Sequence, residues 1–138
     1  MVPAGLGLAE SGSAPGEQLG LWHYTSAAGA ELAPHTHPGW QLARVVSGEL
    51  EYTVDSGEGV LLRAGGSSEP MGPGTYLLGP GDGVIEDSQL VHHAANVSEA
   101  SVTIISATLF EAGQPTATVV EEPAAEEQAV TGGPAASG

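Results

Sequence analysis

The feature that most constrains the fold of this chain is a series of short apolar runs separated by turn residues. The runs are rich in β-branched residues, and none keeps a sustained helical period. Gly, Pro, Asp and Ser stand between them, at the spacing of an all-β domain. The runs predict strands at residues 19–25, 41–47, 49–55, 59–64, 75–79, 82–87, 90–97 and 101–110. A series of short strands without a helix predicts a sandwich or a small barrel.

A change in composition marks the ends of the folded part. All aromatic residues fall between Trp22 and Phe110. Residues 1–17 are predicted to be a flexible N-terminal lead, of which a few residues could add to a sheet edge, and residues 18–112 a single barrel domain. The remaining residues, 113–138, are rich in Pro and Glu and are predicted to be a disordered acidic tail.

Glycine-containing connections are expected between the strands. Ser47-Gly48 and Gly57 are predicted to form hairpin turns, since each separates two apolar runs. The segment "GGSSEPMGPG" at 65–74 has no apolar run and is predicted to be a mobile loop.

The charge of the chain excludes some partners. It has 17 acidic residues against two arginines and no lysine, a net charge of −15. We therefore expect no nucleic acid or membrane partner, because the chain has no basic patch to bind phosphate. No cysteine is present to ligate a metal. The N-terminus lacks the pattern of a signal peptide, so we expect a soluble protein, cytoplasmic or secreted after removal of a signal.

Histidines form the most informative cluster, beginning with the segment "PHTHPGWQ" at 34–41. In an extended chain His35 and His37 point to the same side, and the amide oxygen of Gln41 could reach the same point. His92 and His93 are adjacent, so only one of them can join a shared site. An H-x-H pair alone is more often a surface feature than a metal site.

Longer spacings around these histidines strengthen the metal interpretation. The first segment has five, one, three and six residues between Gly29, His35, His37, Gln41 and Gly48. This order resembles the first motif of the cupin family, with Gln in place of the usual Glu. The second segment has five, one, two and three residues between Gly81, Asp87, Gln89, His92 and Asn96. This order resembles the second cupin motif, with Asp in place of the usual Pro and Gln in place of Gly.

The resemblance implies an all-β fold, a single cupin-type barrel (a double-stranded β-helix or jelly roll), with one bound divalent transition metal. It assigns the metal ligands to His35, His37, Gln41 and His92. Nitrogen and oxygen ligands suit Mn, Fe, Co, Ni, Cu or Zn. A neutral amide ligand would leave the whole charge of the ion in place, which favours Lewis-acid chemistry and an anionic substrate.

Other residues are candidates for the substrate pocket. Tyr52 is expected to face the interior, either as a proton donor or as a packed core residue. Trp40 could form a wall of the pocket mouth or cap the barrel. Glu86 has the same parity as His92 and could be a carboxylate acting as a base. Arg44 is expected to point outward.

These features leave three classes of function open. The first is a metal-dependent lyase, isomerase or cyclase that acts on a small polar or anionic substrate. The second is a metal-dependent dioxygenase. The third is a metal-bearing binding or sensor protein without turnover. A small molecule is the expected partner in each class, a homodimer is a possible assembly, and the sequence assigns no catalytic residue.

Overall fold

A computed structural model of the chain describes residues 2–11 and 14–120. All regular secondary structure within these ranges is β-strand. The described part of the chain therefore has no helix that could span a membrane. The strands are β1 (Val2–Ser11), β2 (Ala14–Ser26), β3 (Glu31–Thr36), β4 (Gly39–Ser47), β5 (Leu50–Ser56), β6 (Gly59–Leu62), β7 (Ser68–Met71), β8 (Gly74–Leu78), β9 (Gly83–Glu86), β10 (Val91–Ala95), β11 (Val102–Glu111) and β12 (Thr118–Val119).

The strands form two antiparallel sheets that share one core. The larger sheet has the order β1-β2-β11-β4-β9-β6-β7, and the smaller has the order β12-β3-β10-β5-β8. Apolar residues from both sheets pack into a single cluster: Val45, Leu50, Tyr52, Val54, Leu61, Met71, Leu78, Val84, Leu90, Ala94, Val102 and Ile104. The predicted all-β fold, a sandwich or small barrel, is confirmed.

Alternation along the strands decides which side chains enter the interior. In β5, Leu50, Tyr52 and Val54 are buried, whereas Glu51 and Asp55 are exposed. In β11 the buried side of the strand also carries hydroxyl groups, because Ser106 and Thr108 take positions between apolar residues. The same period of two therefore builds the apolar core and brings polar groups into it.

All the predicted strands are present, and the structure adds β1, β3, β7 and β12. Strand β7 lies inside the segment 65–74, so the prediction of a mobile loop was wrong for Ser68–Met71. This strand pairs with β6 and buries only Met71. Its other residues are exposed, Pro70 among them, which an edge strand tolerates and an apolar pattern does not reveal.

The predicted hairpins at Gly48 and Gly57 are also corrected. Both glycines have positive φ angles, of 85° and 89°, as tight turns require. The strands on either side of each glycine lie in different sheets, however, so the turns carry the chain across the sandwich. A side chain at Gly48 would also meet the carbonyl oxygen of Ser101 at 2.7 Å. Local turn signals do not say which sheet the next strand joins.

Strand pairing extends beyond the predicted domain at both ends. The predicted lead contains β1, which adds to the edge of the larger sheet and pairs with β2 from Val2 opposite Thr25, so more of the lead is a strand than the few residues expected. Toward the C-terminus, β12 pairs with β3 and places Val119 opposite His35. Residues 121–138 of the predicted tail lie outside the described residues.

Candidate metal centre

Neighbouring strands bring the histidines together. His35 near the end of β3 is paired with His92 on β10, and His37 follows in the short connection to β4. All three side chains are buried, and their potential ligand atoms lie within 4.8 Å of one another. These histidines could hold a metal ion. His93 points to the other face of β10, where its Nδ1 lies 2.8 Å from Asp55.

Backbone carbonyls orient two of the rings. His35 Nδ1 lies 2.7 Å from the carbonyl oxygen of Ala33, and His37 Nδ1 lies 2.7 Å from that of Thr116. A carbonyl only accepts, so each neutral ring carries its proton on Nδ1 and its lone pair on Nε2. Metal-binding histidines are commonly held in this way. The third ring differs, since His92 Nδ1 is buried and has no hydrogen-bond partner among the described residues.

A buried carboxylate lies among the same rings. Glu86, the last residue of β9, has its Oε1 atom 3.3 Å from His37 Nε2 and its Oε2 atom 3.2 Å from His92 Nε2. The hydroxyl of Tyr52 donates to Oε2 at 2.6 Å, and the amide of Gln41 donates to Oε1 at 2.7 Å. The structure thus brings the predicted pocket residues Glu86 and Tyr52 into direct contact with the histidine cluster.

Gln41 presents its nitrogen, not its oxygen, to this cluster. Its Nε2 atom contacts Glu86 and lies 3.2 Å from His37 Nε2. Its Oε1 atom accepts hydrogen bonds from Ser106 at 3.2 Å and, more weakly, from Tyr24 at 3.4 Å. Since an ionised carboxylate can only accept, the donor end of the amide must face Glu86. The predicted ligand atom of Gln41 therefore points away from the histidines.

Sequence reasoning missed four partners of this network, among them the carbonyl of Ala33. Tyr24 and Ser106 follow the alternation of β2 and β11, but that pattern does not distinguish a polar contact from core packing. Thr116 contributes only a backbone carbonyl, which no side-chain motif can reveal.

Electrostatic interactions set the charges of the cluster in the absence of an ion. Burial alone would raise the pKa of Glu86, but the nearby His92 and His37 and the hydrogen bond from Tyr52 lower it to about 2. Burial lowers the pKa of His35 to about 4, and repulsion from His92 adds to the effect. Burial also lowers the pKa of His92. The contacts of His37 with Glu86 outweigh its burial and raise its pKa.

A cavity of about 210 Å³ opens onto these groups. The histidines, Gln41, Tyr52 and Glu86 form its polar part, and most of the remaining wall is apolar, including Trp22, Leu32, Val45 and Ile104.

The prediction that Trp40 belongs to this pocket was wrong. Its side chain is 55% exposed and is absent from the cavity wall. Because Gln41 points inward from β4, the preceding residue must point outward. Trp22 on β2 occupies the wall instead.

The donor set suits a divalent transition metal. Three imidazoles beside a carboxylate are acceptable to Mn, Fe, Co, Ni, Cu or Zn, and the set alone does not choose among them. The Nε2 lone pairs of His35 and His37, whose Nδ1 atoms are held by the carbonyls of Ala33 and Thr116, fit such an ion.

Comparisons with known proteins identify the fold. No protein-family profile and no curated protein matches the sequence. Among solved structures, the DMSP lyase DddQ from Ruegeria pomeroyi aligns with a TM-score of 0.54 and 18% identity, over 73% of this chain. This chain spans only 42% of the length of that lyase.

Two further structures cover most of both chains. A double-stranded β-helix protein from Klebsiella pneumoniae has a TM-score of 0.53 and 22% identity, with 87% of this chain and 80% of that chain covered. A cupin superfamily protein from Desulfitobacterium hafniense has a TM-score of 0.50 and 18% identity, with 79% and 78% covered. The chain therefore has the cupin fold, as the two sequence motifs predicted.

Proposed function

We propose that this protein is a metal-dependent enzyme, a lyase, isomerase or cyclase, that acts on a small substrate with a polar or anionic end. The observation that carries the proposal is the contact of 2.6 Å between the Tyr52 hydroxyl and the Glu86 carboxylate, beside the histidine cluster. Both groups line the same cavity as the histidines. A group able to transfer a proton next to a Lewis-acid site is what such reactions require.

His35, His37 and His92 would hold the ion. The bound ion would supply Lewis-acid polarisation of a substrate oxygen. Tyr52 would act as the general acid, because its hydroxyl lies at the cavity wall. Burial raises the pKa of Tyr52, and the charge of Glu86 raises it further, so the hydroxyl stays protonated at neutral pH.

The cavity limits the substrate. About 210 Å³ accommodates a small molecule, and apolar side chains surround the polar part of the cavity. Both properties favour a compact substrate whose polar end meets the histidines and whose remainder is apolar. The fold supports lyase chemistry in at least one case, since the similar chain from Ruegeria pomeroyi is a DMSP lyase.

The proposal is tested by following substrate consumption directly. Protein loaded separately with Mn, Fe, Co, Ni or Zn is incubated under argon in D₂O with DMSP and a panel of small hydroxy and keto acids, and products are followed by proton NMR. We expect elimination, isomerisation or deuterium exchange of at least one compound. The variant His92→Ala should be inactive, and the matched variant His93→Ala should react like the wild type.

Two results would overturn the proposal. Conversion of a panel compound in air, with none under argon, would assign the protein to the dioxygenases. Stoichiometric binding of panel compounds without conversion under any metal would assign it to the binding or sensor proteins.

A further inference from the structure

We propose that Glu86 supplies the fourth protein ligand of the metal and that Gln41 is the positioning residue that holds this carboxylate. The inference rests on the metal site of the proposed function and deepens it. It replaces the expected ligand set, in which the amide oxygen of Gln41 would bind the ion, with one that includes a carboxylate from a different strand.

The hydrogen bonds of Gln41 argue against it as a ligand. To offer its oxygen to the histidines, the amide would have to exchange the positions of its oxygen and nitrogen. That exchange would bring an amide oxygen to about the position from which Nε2 now contacts Glu86 Oε1, at 2.7 Å. Two acceptors would then face each other in a buried site, and Glu86 would lose a donor. In its observed orientation every polar atom of the amide has a partner.

The position of Glu86 argues for it as a ligand. Its two oxygens lie 3.3 and 3.2 Å from the Nε2 atoms of His37 and His92, so one carboxylate contacts both rings. The Nε2 atom of His37 carries the lone pair of the neutral ring, because Nδ1 donates to Thr116. A lone pair and a carboxylate oxygen directed at the same small volume form a donor set for a cation.

The pairing of β4 with β9 explains why the carboxylate ligand can come from β9 and not from β4. Gln41 and Glu86 are direct partners in the β4–β9 ladder, and both side chains are buried on the same face. A carboxylate on either strand therefore reaches the same wall of the cavity. The amide on β4 then fixes the carboxylate on β9, as groups that hydrogen-bond a metal ligand commonly do.

This ligand set changes the electrostatics of the site. Three neutral imidazoles and one carboxylate leave a divalent ion with one net positive charge, whereas an amide ligand would leave two. The site would bind metal more tightly and polarise a substrate less strongly than the set with Gln41.

The test measures Co(II) binding to the metal-free full chain under argon, by visible absorption and by competition with a chelator. Glu86→Gln keeps the size of the side chain, Gln41→Leu removes the amide, and His93→Ala is the matched control. We expect one Co(II) per wild-type chain and the same in the control. Gln41→Leu should bind about 10- to 100-fold more weakly, the range for groups that orient a ligand. Glu86→Gln should lose more affinity than Gln41→Leu and should change the ligand-field bands.

A second substitution of Glu86 distinguishes loss of the metal ligand from loss of the fold. Glu86→Asp keeps the carboxylate but withdraws it, so it should stay folded by circular dichroism and shift the Co(II) bands. Wild-type affinity and bands in Glu86→Gln, with both altered in Gln41→Leu, would overturn this inference and leave the proposed metal site intact. Failure of the wild type to bind Co(II) would overturn both.

Discussion

The side-chain amide of Gln41 donates a hydrogen bond of 2.7 Å to Glu86 across the β4–β9 ladder. This contact joins the first cupin-like motif to β9, the strand that lies within the second motif between Gly81 and Asp87. It holds a buried carboxylate beside the histidines. The chemistry proposed for this protein depends on that pair.

Replacement of Gln41 by Glu tests the hydrogen bond between Gln41 and Glu86 in the metal-free protein. Gln41→Glu puts a second acceptor opposite Glu86, so the hydrogen bond is replaced by repulsion in a buried site. We expect the free energy of unfolding in urea to fall by about 1–3 kcal/mol. Addition of a divalent metal should restore the loss. Unchanged stability of the metal-free variant would show that the two side chains do not interact as the structure indicates.

Truncation of the C-terminal residues should weaken metal binding while the barrel remains folded. A chain ending at residue 120 retains the carbonyl of Thr116 that accepts from His37, whereas a chain ending at residue 112 loses it together with β12. We expect the shorter chain to bind Zn(II) about 10- to 100-fold more weakly than the longer chain. Equal affinities by chelator competition would mean that this carbonyl does not orient His37.

Much of this arrangement could be predicted from the sequence, because it follows from spacing and alternation. The positions of His35, His37 and His92 in two motifs predicted their convergence, and parity along the strand brought Glu86 and Tyr52 to the interior. Period-two alternation is a local property, so it survives folding.

Other features depend on contacts between distant segments. The strand Ser68–Met71 has no apolar pattern and forms only because β6 is available as a partner. The orientation of the Gln41 amide depends on Glu86, Ser106 and Tyr24 together, and the residue type alone allows either orientation. Trp40 was assigned to the pocket because it is aromatic and adjacent to Gln41, although adjacency in a strand places it on the opposite face.

The stability of the metal-free protein should depend on pH through His35. Its pKa is about 4 in the folded chain and near 6.5 when unfolded. Between these values the unfolded state binds more protons, so stability present above pH 6.5 is lost as the pH falls toward 4. The contribution is on the order of 3 kcal/mol at most. The raised pKa of His37 acts in the opposite direction.

Comparison with a variant isolates the contribution of His35. The free energy of unfolding of His35→Gln should fall less between pH 6.5 and pH 4 than that of the wild type, measured in the presence of a chelator. Parallel curves for the two proteins would contradict the assignment of a neutral, buried His35.

Removal of the Tyr52 hydroxyl should separate metal binding from turnover. Tyr52→Phe keeps the ring in the core and removes only the donor to Glu86. We expect nearly full metal content and a decrease in kcat of about 10²- to 10⁴-fold, as for loss of a general acid. Metal content is measured by elemental analysis and kcat with the substrate found in the panel. A wild-type kcat would exclude Tyr52 as the proton donor.

The most direct test of the account is anomalous diffraction from a crystal grown with Zn(II), recorded at the zinc edge. We expect one strong peak in each chain, about 2.0–2.2 Å from a ring nitrogen of His35, His37 and His92 and from a carboxylate oxygen of Glu86. A peak bound to the oxygen of Gln41 with Glu86 turned away would contradict the proposed ligand set. A fully loaded crystal with its zinc peak elsewhere on the chain would contradict the metal centre itself.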